Sequence, residues 1–300
     1  MSLHVLPLPP SRLWESPFWH PDEQTLYWCD IQDRKIWAWR PQDAQLRHWN
    51  MPSEPGCCAP TDQGNLVIGL RDGFYRLQPQ TGELTCLALL DHDTRHLRLN
   101  DGRCDSHGRF WAGSVYTPKT APLAALWCLR ATPGGYAVQR MAGDNLTANG
   151  LAFSPDDRWM YWANTPAHRI DRFAWDAATG TLGARTPWKQ FEPRTEGAPY
   201  GGRPDGAAVD QEGHYWVAMY EGACILRLRP DGSVAQRIDT PVLCPTMVCF
   251  GGPDLRTLYI TSAQGNAQTP LPGTQVAPGA LLQMRVEVPG LPVQRFRETS

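Results

Sequence analysis

Six times along its 300 residues the chain repeats one pattern: a short apolar run, a turn built on Asp, Gly or Pro, and a second run rich in aromatic and β-branched residues. The turns read HPDEQ (20–24), TDQGN (61–65), DSHGR (105–109), SPDDR (154–158), DQEGH (210–214) and GGPDLR (251–256). The runs after them read TLYWCDI, LVIGL, FWAGSV, WMYWAN, YWVAMY and TLYITS. Most repeats add a third run, as in KIWAWR, GFYRLQ, LWCLR, RIDRFAW and CILRLRP, then a turn such as QPQTGEL, DAATGTL or RPDGSV and a fourth run. Four short strands in roughly 40–50 residues are the sequence pattern of a propeller blade, a sheet that must stack on its neighbours to bury its faces. No stretch of useful length carries helical apolar spacing. The pattern predicts an all-β fold, a six-bladed β-propeller of four-stranded antiparallel blades around a central channel, with residues 1–300 as a single domain. LHVL (3–6) is a candidate for the outer strand of the last blade, and PVQRFRE near the C-terminus is the alternative. QTPLPGTQVAPG (268–279) reads as a long loop inside the sixth repeat.

Apolar residues make up 42% of the chain and charged residues 19%, which allows a large core and excludes the composition of a disordered chain. The net charge is −2 with no Lys/Arg run, which argues against nucleic acid or an anionic membrane as partner. No apolar stretch is long enough to span a bilayer. The opening MSLHVLPLPPSRLW lacks the basic region, apolar run and small-residue cleavage site of a signal peptide. The nine cysteines form no Cys-x-x-Cys pair and mostly sit in apolar runs, as expected of reduced, buried thiols in a cytoplasmic protein. A monomer or weak dimer is expected.

Strand direction alternates within a blade, so the six Asp-rich turns all fall on one face of the ring. Asp and Gly there supply the backbone angles of tight hairpins and need no further role. The opposite face receives the entrances of the innermost strands, which line the channel. Those entrance positions hold Glu15, Cys58, Asn100, Asn149, Asp205 and Pro245 or Thr246. Glu, Asn, Asn and Asp in matching register across a ring suit a hard divalent cation such as Ca²⁺, Mg²⁺ or Mn²⁺, and can also hold Zn²⁺ or Fe(II).

The segments WESPFWHPDEQTLYWCDI, RLNDGRCDSHGRFWAGS, NGLAFSPDDRWMYWANT, RPDGAAVDQEGHYWVAMY and CFGGPDLRTLYITSA, in this order, resemble the senescence-marker/gluconolactonase family, which includes regucalcin and bacterial sugar lactonases. The resemblance spans nearly the whole chain. It implies a six-bladed propeller with one divalent cation in the channel mouth, held by Glu15, Asn149 and Asp205, and substrate contacts from Arg98 and Asn100. Some members carry a Glu after the second strand of the third blade that contacts substrate. This chain reads SVYTPKT there, without an acid, which leaves Tyr116, Thr117 or Lys119 as candidates. Tyr200 and Arg203, in the loop EGAPYGGRPDG, are further candidates for the sugar or for packing the loop.

The implied activity is hydrolysis of a sugar lactone to its aldonic acid in carbohydrate catabolism. A cation there would polarise the carbonyl and activate water, and Asp205 is the expected general base. A different metal-dependent ester or phosphotriester hydrolysis, and a non-catalytic metal-binding regulator or scaffold, remain as alternatives. No Gly-x-Ser-x-Gly, His-Glu-x-x-His or phosphate-loop motif competes. His92 and His96 read as solvated surface, and Trp14 and Trp19, beside Glu15, as core.

Overall fold

The strands of the computed structural model, which describes residues 2–266 and 269–299, fall into six four-stranded antiparallel sheets. Blade 1 runs Trp14–His20, Thr25–Asp30, Lys35–Arg40 and Gln45–Asn50. The inner strands of blades 2 to 6 are Cys57–Pro60, Leu97–Cys104, Ala148–Phe153, Arg203–Val209 and Cys244–Gly251. Each inner strand contacts those of both neighbouring blades, the first meeting the sixth, so the sheets close a ring. The six-bladed propeller is therefore the fold of the chain.

Burial explains why the sequence repeats as it does. Inner strands are covered on every side, and WESPFWH and CPTMVCFG are buried throughout. Outer strands face solvent, and QLRHWN is exposed except for Trp49. Aromatic and aliphatic side chains of the middle strands pack between adjacent blades. Leu26, Trp28 and Trp39 of blade 1, for example, meet Cys249 and Tyr259 of blade 6. Trp14 and Trp19 lie in this same cluster, as core residues. The cysteines are free, and among them only Cys86 is exposed.

Two of the Asp-rich turns show how a hairpin is locked to its blade. One Asp105 oxygen accepts the backbone N–H groups of His107 and Arg109 at 2.9 and 3.0 Å, while the other accepts the Trp111 indole N–H at 2.8 Å. Asp210 repeats this with Glu212, His214 and Trp216 at 3.0, 2.9 and 2.9 Å. Each carboxylate thus closes its turn and orients a core tryptophan of the next strand.

Ring closure resolves the two alternatives. Leu3–Val5 pairs antiparallel with Leu282–Arg285 and supplies the outer strand of blade 6. PVQRFRE does not; it crosses the face of the Asp-rich turns as a strap. Gly290 bridges Asp210 in blade 5, Phe296 bridges Thr61 in blade 2, and the Arg297 N–H donates to Gly108 O in blade 3 at 2.9 Å. Phe296 is fully buried among blades 2 and 3, and the Glu298 carboxylate accepts from Thr61 Oγ1 at 2.5 Å and Asn65 Nδ2 at 2.9 Å. The long loop of the sixth repeat connects Thr257–Ala263 to Leu282–Arg285, and its first predicted residue, Gln268, lies outside the described residues. Among the described residues no helix is long and apolar enough to cross a membrane.

The strap makes a testable demand. Replacing Phe296 by Ala removes a fully buried ring and should cost about 3–5 kcal/mol, lowering the melting temperature by several degrees in a thermal unfolding experiment. An unchanged melting temperature would show that the strap does not contribute to the fold.

Candidate functional site

The inner strands are not regular where they enter the channel. In blade 3, Leu99 pairs with Ser114 and Gly102 with Ala112, so Asn100 and Asp101 together oppose Gly113. Blades 1, 4, 5 and 6 carry the same one-residue excess, between Glu15 and Phe18, Asn149 and Ala152, Pro204 and Ala207, and Pro245 and Met247. Blade 2 pairs without a break. A bulge bends its strand and re-aims the side chains beside it. Glu15, Asn100, Asn149 and Asp205 each sit in or next to one. Blade 4 needs glycine at the turn of its bulge: Gly150 has φ +58°, and a Cβ there would stand 2.2 Å from the Tyr215 hydroxyl.

These four side chains are buried, Glu15 at 6%, Asn149 at 3% and Asp205 at 5% exposure, and three of them are hydrogen-bonded in sequence around the ring. Thr165, in the short 3₁₀ turn Thr165–Ala167 after the second strand of blade 4, sets their orientation. Its hydroxyl donates to Pro204 O at 2.7 Å and so must accept from Asn149 Nδ2 at 2.8 Å. The same Nδ2 donates to Asp205 Oδ1 at 2.5 Å, which turns Asn149 Oδ1 the other way, toward Asn100 Nδ2 at 2.6 Å. Arg98 donates to Asn100 Oδ1 at 2.8 Å and fixes that amide in turn.

The charges are unbalanced at the floor of the site. Burial, then repulsion from Asp205 and Asp101, pushes Glu15 well above the usual carboxylate range. Burial and Asp101 push Asp205 up to about 8, against the pull of Arg203, Lys119 and the Asn149 hydrogen bond. Asp101 is raised to about 6 by burial, although Arg103 and backbone N–H groups oppose the rise. Asp101 accepts the Leu151 N–H at 2.7 Å, and its second oxygen has no partner. Glu15 accepts only the N–H of Ser16 at 3.3 Å, and among the described residues neither Glu15 nor Asp205 has an ion-pair partner.

Buried carboxylates without a counter-charge are costly, and a cation between them removes the cost. The donor set fits a hard divalent ion: two carboxylates and the oriented Asn149 oxygen, with Asn100 alongside. Among the described residues there is no group of three His, Cys, Asp or Glu side chains that could hold a metal, so amide or backbone oxygen and water would complete any coordination.

The other predicted residues surround this floor. Arg98 is half-buried beside Asn100, and Arg203 stacks over the Tyr220 ring at 5.2 Å and pairs with Glu221 at 3.4 Å. Lys119 lies on the exposed loop after the second strand of blade 3. Tyr116 packs against His96, and the Thr117 hydroxyl bonds His96 O at 3.0 Å. Tyr200 bonds His168 Nε2 at 2.7 Å and lies under Arg194, so it packs its loop. His92 bonds Arg71 O and His96 bonds Asp93, both in the loop between blades 2 and 3. Cys58 is buried near Cys29, and the Thr246 hydroxyl donates to Trp14 O at 2.5 Å, so neither position adds a free donor. Sequence reasoning assigned no role to Asp101 or Thr165. Asp101 reads as half of an Asn-Asp-Gly turn, and the role of Thr165 depends on a carbonyl in the next blade.

A ring of six antiparallel blades with an oxygen-lined, acidic floor at one channel mouth defines a six-bladed propeller with a polar site. The profile described as the SMP-30/Gluconolactonase/LRE-like region matches residues 13–264, and the chain belongs to that family. It is 42% identical over 283 residues to a 6-deoxy-6-sulfogluconolactonase of Pseudomonas putida, covering 94% of each chain. It is 32% identical over 288 residues to the pentonolactonase XacC of Haloferax volcanii, covering 94% and 93%. The crystal structure of regucalcin from Agrobacterium tumefaciens, described as a calcium-binding protein, superposes with a TM-score of 0.86 at 26% identity, covering 98% and 96%.

The raised carboxylates set a pH dependence. Asp205 titrates near 8 in the fold against an ordinary 3.8, so between those values the folded chain holds a proton that the unfolded chain has released. Stability of the chelator-treated protein should therefore fall as pH rises through this window and be lowest above it, with Glu15 acting in the same direction. Melting curves from about pH 5 to 8.5 should show the decline, and Asp205→Asn should make it shallower. A decline unaffected by that substitution would place the buried charge elsewhere.

Proposed function

We propose that this chain hydrolyses a sugar lactone to the corresponding aldonic acid, at a single divalent cation held by Glu15, Asn149 and Asp205. The observation that carries the reading is the pair of buried carboxylates without ion-pair partners, Glu15 and Asp205, the second bonded to the Asn149 amide that Thr165 orients. Support comes also from the relatives named as lactonases at 42% and 32% identity.

The cation, when bound, would polarise the lactone carbonyl and make a nearby water more acidic. The chain supplies the rest. Without a cation Asp205 holds its proton near neutrality, so it can serve as a base only when positive charge beside it favours the carboxylate. Its free oxygen then accepts the proton of the attacking water, while Oδ1 stays on Asn149 Nδ2. Arg98 commits two N–H groups to Leu99 O and Asn100 Oδ1, and its remaining donors can orient ring hydroxyls or the ester oxygen, while both Asn100 Nδ2 hydrogens stay on Ala148 O and Asn149 Oδ1. Burial of the floor keeps bulk water from screening these interactions.

A second reading is a metal-binding regulator without turnover, favoured by the likeness to a regucalcin described as calcium-binding. Proton release on a panel of γ- and δ-aldonolactones separates the two. The protein is stripped of metal and resupplied with Ca²⁺, Mg²⁺, Mn²⁺, Zn²⁺ or Fe(II), with spontaneous hydrolysis subtracted. Metal-dependent acid production is expected, and Asp205→Asn should reduce it by about 10²–10⁴-fold. Cation binding without turnover of any lactone would favour the regulator.

A further inference from the structure

We propose that the lactone taken by this site carries a sulfonate or phosphate on its far end, and that Lys119 and Arg203 receive that oxyanion at the channel rim. The inference rests on the lactonase reading and narrows its substrate class.

Register places the cations. Arg98 and Arg203 pair with Val115 and Tyr220 just ahead of the bulge of their strand, where the regular ladder still holds. Arg98 stands two residues before Asn100, and Arg203 two before Asp205, each on the mouth side of its partner. The inner strands of blades 3 and 5 therefore each set a guanidinium above a floor residue, on either side of blade 4. Lys119 arrives from a different element, the loop after the second strand of blade 3. Its N–H closes a turn onto Tyr116 O at 3.0 Å, and Thr117 pins the loop through N–H and hydroxyl bonds to His96 O at 2.8 and 3.0 Å. Lys119 itself has φ 54°, a left-handed conformation that side-chain-bearing residues rarely adopt. Other turn residues such as Gln24 and Arg34 share that backbone conformation; what sets Lys119 apart is that its pinned turn holds an ammonium within electrostatic reach of Arg203, Asp205 and Arg98, which calls for a functional reason.

The local charge balance supplies one. Lys119 takes part in no ion pair among the described residues, and its ammonium is pushed down by burial and by Arg203 and Arg98, with Asp205 and Glu221 opposing. Arg203 shares the single carboxylate of Glu221 with Arg194, at 3.4 and 3.3 Å, and its Nε–H is buried without an acceptor. Glu54, the other acid near Arg98, is committed to Arg71 through two bonds of 2.6 and 2.9 Å. The rim thus holds more positive charge than its own acids neutralise, above a floor that is negative. A neutral sugar end offers such a rim hydroxyl acceptors but no charge to neutralise. A tetrahedral oxyanion offers three acceptors to one ammonium and one guanidinium, and the acidic floor forces that end to point outward. The lactone carbonyl is then left facing Glu15, Asn149 and Asp205.

Product-like acids test this without requiring turnover. Binding of three stable aldonic acids, differing only in a terminal hydroxyl, sulfonate or phosphate, is measured by titration calorimetry on the cation-loaded protein, on Lys119→Gln and on Arg203→Gln. In the unmodified protein at least one charged end should bind about tenfold or more tightly than the hydroxyl, the scale of a charge-assisted pair. Lys119→Gln should cut that advantage to about threefold or less, Lys119→Arg should keep most of it, and added salt should shrink it. A lead for sulfonate assigns a fixed monoanion, and a lead for phosphate a dianion. Equal binding of all three acids, or an advantage that survives both Gln substitutions, overturns the proposal. Proton release on the matching lactones keeps the two readings apart. Selective binding of the charged acids with no lactone turned over sinks the lactonase reading and leaves the anion site standing. Turnover with no preference in binding does the reverse.

Discussion

The ring is shut where blade 6 meets blade 1: Leu3, His4 and Val5 pair with Met284, Gln283 and Leu282, the inner strands Trp14–His20 and Cys244–Gly251 lie in contact, and the meeting of the inner strands at one channel mouth depends on that seam. Glu15 belongs to blade 1, Asn149 to blade 4 and Asp205 to blade 5, so no blade alone contains the site. An open ring would let blades 1 and 6 separate and expose unpaired strand edges. The strap from Gly290 to Glu298 reinforces closure from the other face, tying blade 5 to blades 2 and 3. The propeller therefore keeps its two faces distinct: one is bound across by the chain's own tail, and the other is left for chemistry.

At the mouth the fold accepts local disorder of pattern in exchange for aim. A regular strand would alternate its side chains between channel and blade interior. Bulges in five of the inner strands break that alternation where Glu15, Asn100, Asn149 and Asp205 lie. Blade 2, which pairs regularly, presents Cys58 and contributes no oxygen donor. The resulting floor gathers like charges that burial alone would disfavour. That is the usual condition of a functional site, where local interactions are arranged for a task and the surrounding packing sustains them.

Much of this was legible in the sequence, for physical reasons that can be named. Blade periodicity shows because the second strand of each blade is almost wholly buried and so is built from apolar and aromatic residues, which is why WMYWAN and YWVAMY look alike. Counting back from those runs reaches Glu15, Asn149 and Asp205, since the strands differ little in length. The choice between LHVL and PVQRFRE was not legible, because both are short alternating segments and only the position of blade 6 decides which one pairs. Bulges leave no mark on one strand read alone, as they are a mismatch in length between two. Asp101 and Thr165 stayed hidden because their importance lies in groups of the next blade, the Leu151 amide and the Pro204 carbonyl.

The closing strand also has a consequence for how the molecule is made. Residues 3–5 are synthesised early, yet their partners lie at 282–284. Until those partners emerge from the ribosome the first segment has no sheet to join, and the edge it will cover does not exist. Blades 1 to 5 can each form from neighbouring strands as they appear, but the last must wait for both ends of the chain. The slow step of assembly should therefore be a search between distant segments, and a nascent chain halted before residue 282 would hold its blades as an open arc, prone to pair with a second copy of itself.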